Sequence, residues 1–188
     1  MAVDNVIQYI TIASTGNATD FGNLSAARYS NGSLASTTRA VFCGGWDSSN
    51  NTKDIMEYVT IASTGNVTDF GNLLSAAASI SDGCTSNNTR GIIAGGGDSE
   101  SNVIQYITIA STGNATDFGN LSEVKNYVSA TAGGDRGVFG GGNHNDGTRR
   151  NTMEYIDITS TGNVTDFGDL TVARARAVSM SNTHGGLA

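Results

Sequence analysis

Ile10 to Leu24 reads ITIASTGNATDFGNL, and Ile107 to Leu121 reads the same letters again. Altered copies stand at 59–73 (VTIASTGNVTDFGNL) and 156–170 (IDITSTGNVTDFGDL). Outward from this stretch, Asn5–Ser25 is identical to Asn102–Ser122, and Tyr9, Tyr58, Tyr106 and Tyr155 stand 49, 48 and 49 residues apart. A period of this size is that of one supersecondary unit stacked against its copies. Copies one and three read QY and NAT, while two and four read EY and NVT, so a pair of units has been duplicated as a pair.

Each unit has room for four short strands. VIQYITIA is β-branched and aromatic with apolar residues on both faces, as a strand packed on both sides should be. STGN follows, where Gly16 and its equivalents are expected to supply the positive φ of a tight hairpin. ATDFGNL is the returning strand, with Phe21, Phe70, Phe118 and Phe167 expected in the core and a bend at the glycine after each. A small-residue strand comes next (RYSNGSLAS, RARAVSMS), then a polar turn (STTR, NNTR, GGDR) and an apolar strand ending in glycines (AVFCGG, GIIAGGG, GVFGGG). Differences in length fall only in that turn and in the loop after the glycines. The tripeptide DFG holds magnesium in protein kinases, but no nucleotide lysine or catalytic loop accompanies it, and a motif present four times reads as structural.

Composition narrows the partners. The 188 residues carry 25 glycines, no proline, 38% hydrophobic and 14% charged residues, a balance suited to one folded domain. A net charge of −7, with Lys53 and Lys125 the only lysines, argues against a nucleic-acid partner. No apolar run approaches the ~20 residues of a membrane span. MAVDNVIQYI has neither a basic region nor an apolar core, so no secretory signal is expected. Cys43 and Cys84 are expected as two small buried residues, since nothing in their spacing suggests a disulfide. Asn17, Asn66, Asn114 and Asn163 begin Asn-x-Thr sequons but read as turn residues of the repeat.

An apolar strand ending in Gly-Gly, a variable loop and then a strand with a tyrosine together resemble the kelch repeat. The diglycines would be Gly44-Gly45, Gly95-Gly96 and Gly140-Gly141. The tyrosines would be Tyr9, Tyr58, Tyr106 and Tyr155. The resemblance implies that each repeat is one four-stranded blade of a β-propeller. TDF stands where the family usually has a tryptophan. The family's arginine position holds Arg28, Lys125 and Arg174, but Ala77 in the second repeat. The string YITIASTGNATDFG…RGVFGGG is more closely similar to kelch-like repeats of virion structural proteins of tailed phages, particularly those of marine cyanobacteria.

On this reading the fold is an all-β, kelch-like propeller of four blades of about 48 residues, forming a single domain over 1–188. The blades would span about 25–71, 74–119 and 122–168, with a last one made of 171–188 plus 3–22. N- and C-terminal strands sharing that blade would tie the ring shut. Two chains forming a larger ring is the alternative.

Propellers bind through the loops at blade ends. The loops after the glycines, 46–54, 97–102 and 142–150, differ most between repeats and should emerge on one face. They hold Trp46, Asp47, Asp98, Glu100, Asn143, His144, Asp146, Arg149 and Arg150. An aromatic ring with carboxylates and amides suits sugar binding, and of these Trp46, Asp47, Asp98, Asn143, His144, Asp146, Arg149 and Arg150 are the candidate ligand residues. NHNDG is only a fragment of a calcium loop. His144 and His184 stand in unlike contexts, and no Cys–His spacing suggests a metal. No Gly-x-Ser-x-Gly elbow is present, so no catalytic residue, metal or cofactor is expected. The position Gln8/Glu57/Gln105/Glu154 would bring two carboxylates face to face if it pointed into a central channel. The expected function is a non-enzymatic virion component, adhesive or structural, partnered by other virion proteins and by host surface polysaccharide, with a homo-oligomer possible. Alternatives are a protein-interaction scaffold and a carbohydrate-active enzyme.

Overall fold

The structure is a computed structural model that describes residues 3–96, 101–144 and 146–181. The described residues are all-β, with strands in four antiparallel sheets and no helix. β1 (Val6–Tyr9) and β2 (Thr19–Asn23) pair alone. β3 (Gly32–Ala35), β4 (Arg39–Cys43), β5 (Lys53–Thr60) and β6 (Thr68–Ala77) form a four-stranded meander. β7 (Cys84–Ser86), β8 (Arg90–Ala94), β9 (Ser101–Thr108) and β10 (Thr116–Lys125) form the next. β11 (Ser129–Gly133), β12 (Arg136–Gly140), β13 (Thr152–Asp157) and β14 (Thr165–Asp169) form the third.

The core lies between sheets. One buried cluster joins Val41, Met56, Phe70 and Leu73 of β3–β6 to Ile93, Ile107 and Ile109 of the next repeat. A second joins Ile92, Ile104, Phe118 and Leu121 to Phe139, Ile156 and Ile158. Adjacent residues Ile92 and Ile93 feed different clusters, which is why this strand is apolar on both faces. First strands β3, β7 and β11, with Ser179–Ser181, line one cavity of about 660 Å³.

The repeated DFG is a β-bulge. Ile7 pairs with Gly22 but Gln8 with Asp20, so Phe21 is the extra residue, and the same skip recurs at Phe70, Phe118 and Phe167. The glycine after each phenylalanine has φ between +126° and +151°. A Cβ on Gly22, Gly71 or Gly119 would overlap the carbonyl of Gly65, Gly113 or Gly162 in the next repeat. Each DFG thus seats the STGN loop of its neighbour. The loop glycines themselves do not adopt positive φ, contrary to expectation, because seven residues separate β5 from β6 and no two-residue turn is needed.

Two further expectations need correction. Gly140 lies within β12, and the positive-φ pair of the third repeat is Gly141-Gly142 (φ +67° and +112°), matching Gly44-Gly45 and Gly95-Gly96. Phe70 and Phe118 are buried, but Phe21 is half-buried and Phe167 is 48% exposed, since no loop among the described residues covers the bulge at Phe167. Cys43 and Cys84 are both free, and they are also neighbours, with Sγ atoms 3.9 Å apart across the first two complete sheets. In the C-terminal segment, residues 171–181 hold no strand, and the stretch that would pair with β1 falls in 182–188, outside the described residues. Arg176 (φ +57°) nevertheless repeats the left-handed conformation of Ser30, Ser79 and Tyr127, and its N–H bonds the Tyr127 carbonyl as that of Tyr127 bonds Ser79.

Candidate functional site

Loops β4–β5, β8–β9 and β12–β13 connect equivalent strands and leave from the same end of each sheet. Each starts at a diglycine whose second N–H bonds a carbonyl at or just beyond the end of the last strand of its own sheet: Gly45 to Ala77, Gly96 to Lys125, Gly142 to Arg174. The loop bases are therefore fixed by the far strand of the same sheet. Asp98 and Glu100 lie outside the described residues. Beyond the loop bases, the described parts of the loops diverge into two unlike groups.

In the first, Trp46 exchanges backbone hydrogen bonds with Tyr29 (2.9 and 3.1 Å), and the two rings stack 6.4 Å apart at 16°. Tyr29 donates its hydroxyl to Asn50 Oδ1 (2.5 Å). Asp47 accepts from Lys53 Nζ (2.8 Å) and from the N–H groups of Ser49 and Asn51. Lys53 and these amides hold its carboxyl well below the usual carboxylate range. The result is a half-exposed aromatic ledge on a hydrogen-bonded loop. Its polar rim is Asp47, Asn50 and Lys53.

In the second, Asn143 occupies the Trp46 position and exchanges backbone bonds with Asn126. Arg150 Nε meets both oxygens of Glu123 (3.0 and 2.9 Å), and Nη2 reaches Asp146 (3.4 Å). Glu123 keeps the guanidinium protonated beyond its ordinary range, while Thr148 and then Arg150 hold the Asp146 carboxyl well down. His144 Nδ1 accepts the Asp146 N–H (3.3 Å), and its Nε2 lies 3.9 Å from Glu123. Arg149 is exposed and bridges to Asn143. Glu123, on β10, was missed by sequence reasoning because it enters this loop from another strand. Trp46 and the His144 group belong to different sheets, with no hydrogen bond or ion pair between them among the described residues, so the candidates divide into two sites.

Glu57 and Glu154 do not face a channel. Both are buried, ion-paired to Arg28 and to Lys125 (Nζ–Oε2 2.7 Å for the latter), and each accepts the N–H of Ser25 or Ser122. Gln105 accepts from Leu74 N–H (2.9 Å) in the same way, opposite Ala77 rather than a cation. This row is a tie between sheets. Among the described residues no cluster of three His, Cys, Asp or Glu could hold a metal. Compared with known proteins, the chain matches no family model and no curated protein.

Proposed function

We propose that this chain is a kelch-like propeller module, with a blade assembled from N- and C-terminal strands of neighbouring copies, acting as a non-enzymatic structural or adhesion component of a tailed-phage virion. The observation that carries the reading is a division of labour along the repeat. What recurs, the DFG bulges and the Gln/Glu row, fastens sheets to one another, while the diglycines fix the loop bases. What differs is gathered in loops at one end, where Trp46 and Tyr29 offer a preformed aromatic face beside Asp47, Asn50 and Lys53. Such a face covers the C–H side of a pyranose while the polar rim takes its hydroxyls. A ledge already ordered by its own hydrogen bonds loses little freedom on binding.

The test is binding to a panel of bacterial lipopolysaccharides and capsular polysaccharides by biolayer interferometry. Trp46→Ala should weaken binding ~10-fold or more, the loss of one stacked ring at a buried contact. A protein that binds no polysaccharide of the panel would favour the scaffold reading. Turnover of a bound polysaccharide would favour the enzyme.

A further inference from the structure

The sheets are joined by one contact used three times. Gly65 N–H bonds the Phe21 carbonyl (2.7 Å), Val67 N–H the Asn23 carbonyl (3.0 Å), and Asn66 Oδ1 accepts Asn23 N–H (3.0 Å). Gly113, Ala115 and Asn114 repeat this on Phe70 and Asn72 (2.7, 2.8 and 3.0 Å). Gly162, Val164 and Asn163 repeat it on Phe118 and Asn120 (2.8, 3.1 and 3.0 Å). A second contact accompanies the first: Arg39 Nη1 bonds the Ile109 carbonyl, and Arg90 Nη1 that of Ile158.

Among the described residues the fourth seat is built but empty. Phe167 and Asp169 offer the same carbonyls, Gly168 keeps φ +126°, and nothing lies within 4 Å of the place its Cβ would take. At the other end of the chain, the β1–β2 hairpin carries the matching plug: Gly16, Asn17 and Ala18 stand where Gly113, Asn114 and Ala115 stand, in a segment letter-identical to 102–122. Both halves show unburied apolar surface. Ile12 is 95% exposed and its equivalent Ile61 45%, while Ile109 and Ile158 are fully buried, and Phe167 is 48% exposed against 2% for Phe70. The hairpin is already fastened to its own chain through Phe21 and Asn23, and among the described residues no hydrogen bond or ion pair joins it to β14 or to 171–181.

We infer that the β14 seat is a docking surface for the β1–β2 hairpin of a second copy of this chain. The occupant is specified by sequence, because an identical segment already fills the equivalent seat on β6. Head-to-tail docking adds the fourth joint without breaking any of the three in place. It is a heterologous contact, so copies joined this way close into a ring or extend. The inference rests on the joints alone and is independent of the polysaccharide reading, which the binding panel tests separately.

Two chains carrying one cysteine each, Asn17→Cys and Asp169→Cys, are mixed and oxidised, so that only copies in contact crosslink. Asn23→Cys/Asn66→Cys within one chain calibrates the geometry, since those side chains lie 3.4 Å apart. The expected result is a disulfide-linked dimer in the mixture but in neither variant alone, with sedimentation of the unmodified protein showing at least two chains at micromolar concentration. Gly168→Ala, whose methyl meets nothing in the single chain but would meet the Gly16 carbonyl in the seat, should abolish both while the protein still melts cooperatively. A monomer at all concentrations with no mixed crosslink overturns the inference. So does a doubly substituted Asn17→Cys/Asp169→Cys chain that crosslinks only within itself.

Discussion

Glu57→Gln is the most informative single change, because the protein contains its own control. At the first joint Glu57 holds buried Arg28 through Nη2, while Nε and Nη1 have no hydrogen-bond partner among the described residues. At the second joint the same positions are Gln105 and Ala77, and the glutamine still accepts a backbone N–H. At the third they are Glu154 and Lys125, with Lys125 Nζ also reaching Thr152 (3.2 Å). Glu57→Gln keeps the acceptor for Ser25 but leaves a buried guanidinium uncompensated, a loss of ~3–5 kcal/mol. Arg28→Ala strands the carboxylate and should cost a similar ~3–5 kcal/mol. The double substitution recreates the Gln105/Ala77 pair, so it should cost less than either single change, a coupling of ~2–3 kcal/mol. Arg28→Lys, which copies the third joint and removes two unpaired buried N–H groups, should stay within ~1 kcal/mol of the parent. Urea unfolding followed by circular dichroism at neutral pH gives all four values. At ~2–4 °C per kcal/mol for a chain of this size, the single changes should also lower Tm by on the order of 10 °C. Additive losses in the double substitution would refute the account of this row as a set of interchangeable ties.

Two other predictions follow from the joints. Gly71→Ala and Gly168→Ala impose the same backbone strain, φ +136° and +126°, but only the first drives a methyl into the Gly113 carbonyl. In dilute protein Gly71→Ala should be the more destabilising by ~1–3 kcal/mol, the cost of the displaced inter-sheet bond, and equal losses would show that the bulge glycine serves its own strand only. Cys84 lies against Cys43, whose hydrogen bond and then burial push the Cys84 thiol well above its ordinary 9.0. A raised value means the native state holds that proton longer, so the contribution to stability is complete below pH 9.0 and is lost as pH rises through the native value. At pH 8 a thiol reagent should label native protein at least ~10-fold more slowly than urea-unfolded protein, and equal rates would place the thiol in the open.

The period, the strand pattern and the variable loops were legible from the sequence because they are local properties. What needed coordinates was what one repeat does to the next. The glycine of DFG looks like a bend within a strand, yet its missing Cβ is space for the following repeat, and Gly168 shows how little that space matters without a neighbour. Cys43 ends β4 and Cys84 begins β7, at different phases of the period, so their approach is invisible to spacing. The run of three glycines at 140–142 allows two registers, and only φ decides between them. Glu57, Gln105 and Glu154 are different in kind. Aligning the repeats places a cation before each glutamate and Ala77 before the glutamine, so this pairing could have been found by comparing copies at two positions together.

That covariation also bears on why both cores lie between sheets. Each four-stranded sheet is too thin to bury its own apolar faces, so its stability comes from nearest neighbours, as in any stacked array. β8, with Ile92 in one cluster and Ile93 in the other, has neighbours on both sides. Among the described residues the β1–β2 hairpin and β14 each have one, and they carry exposed Ile12 and Phe167 where Ile109, Ile158, Phe70 and Phe118 are buried, with Ile61 half-exposed. Capping repeats present a polar outer face. The hairpin instead keeps every letter of the internal copy from Asn5 to Ser25, and the repeat that holds β14 keeps its phenylalanine and glycine. Ile12 and Phe167 are thus apolar where a joint of the kind seen between the other sheets would cover them.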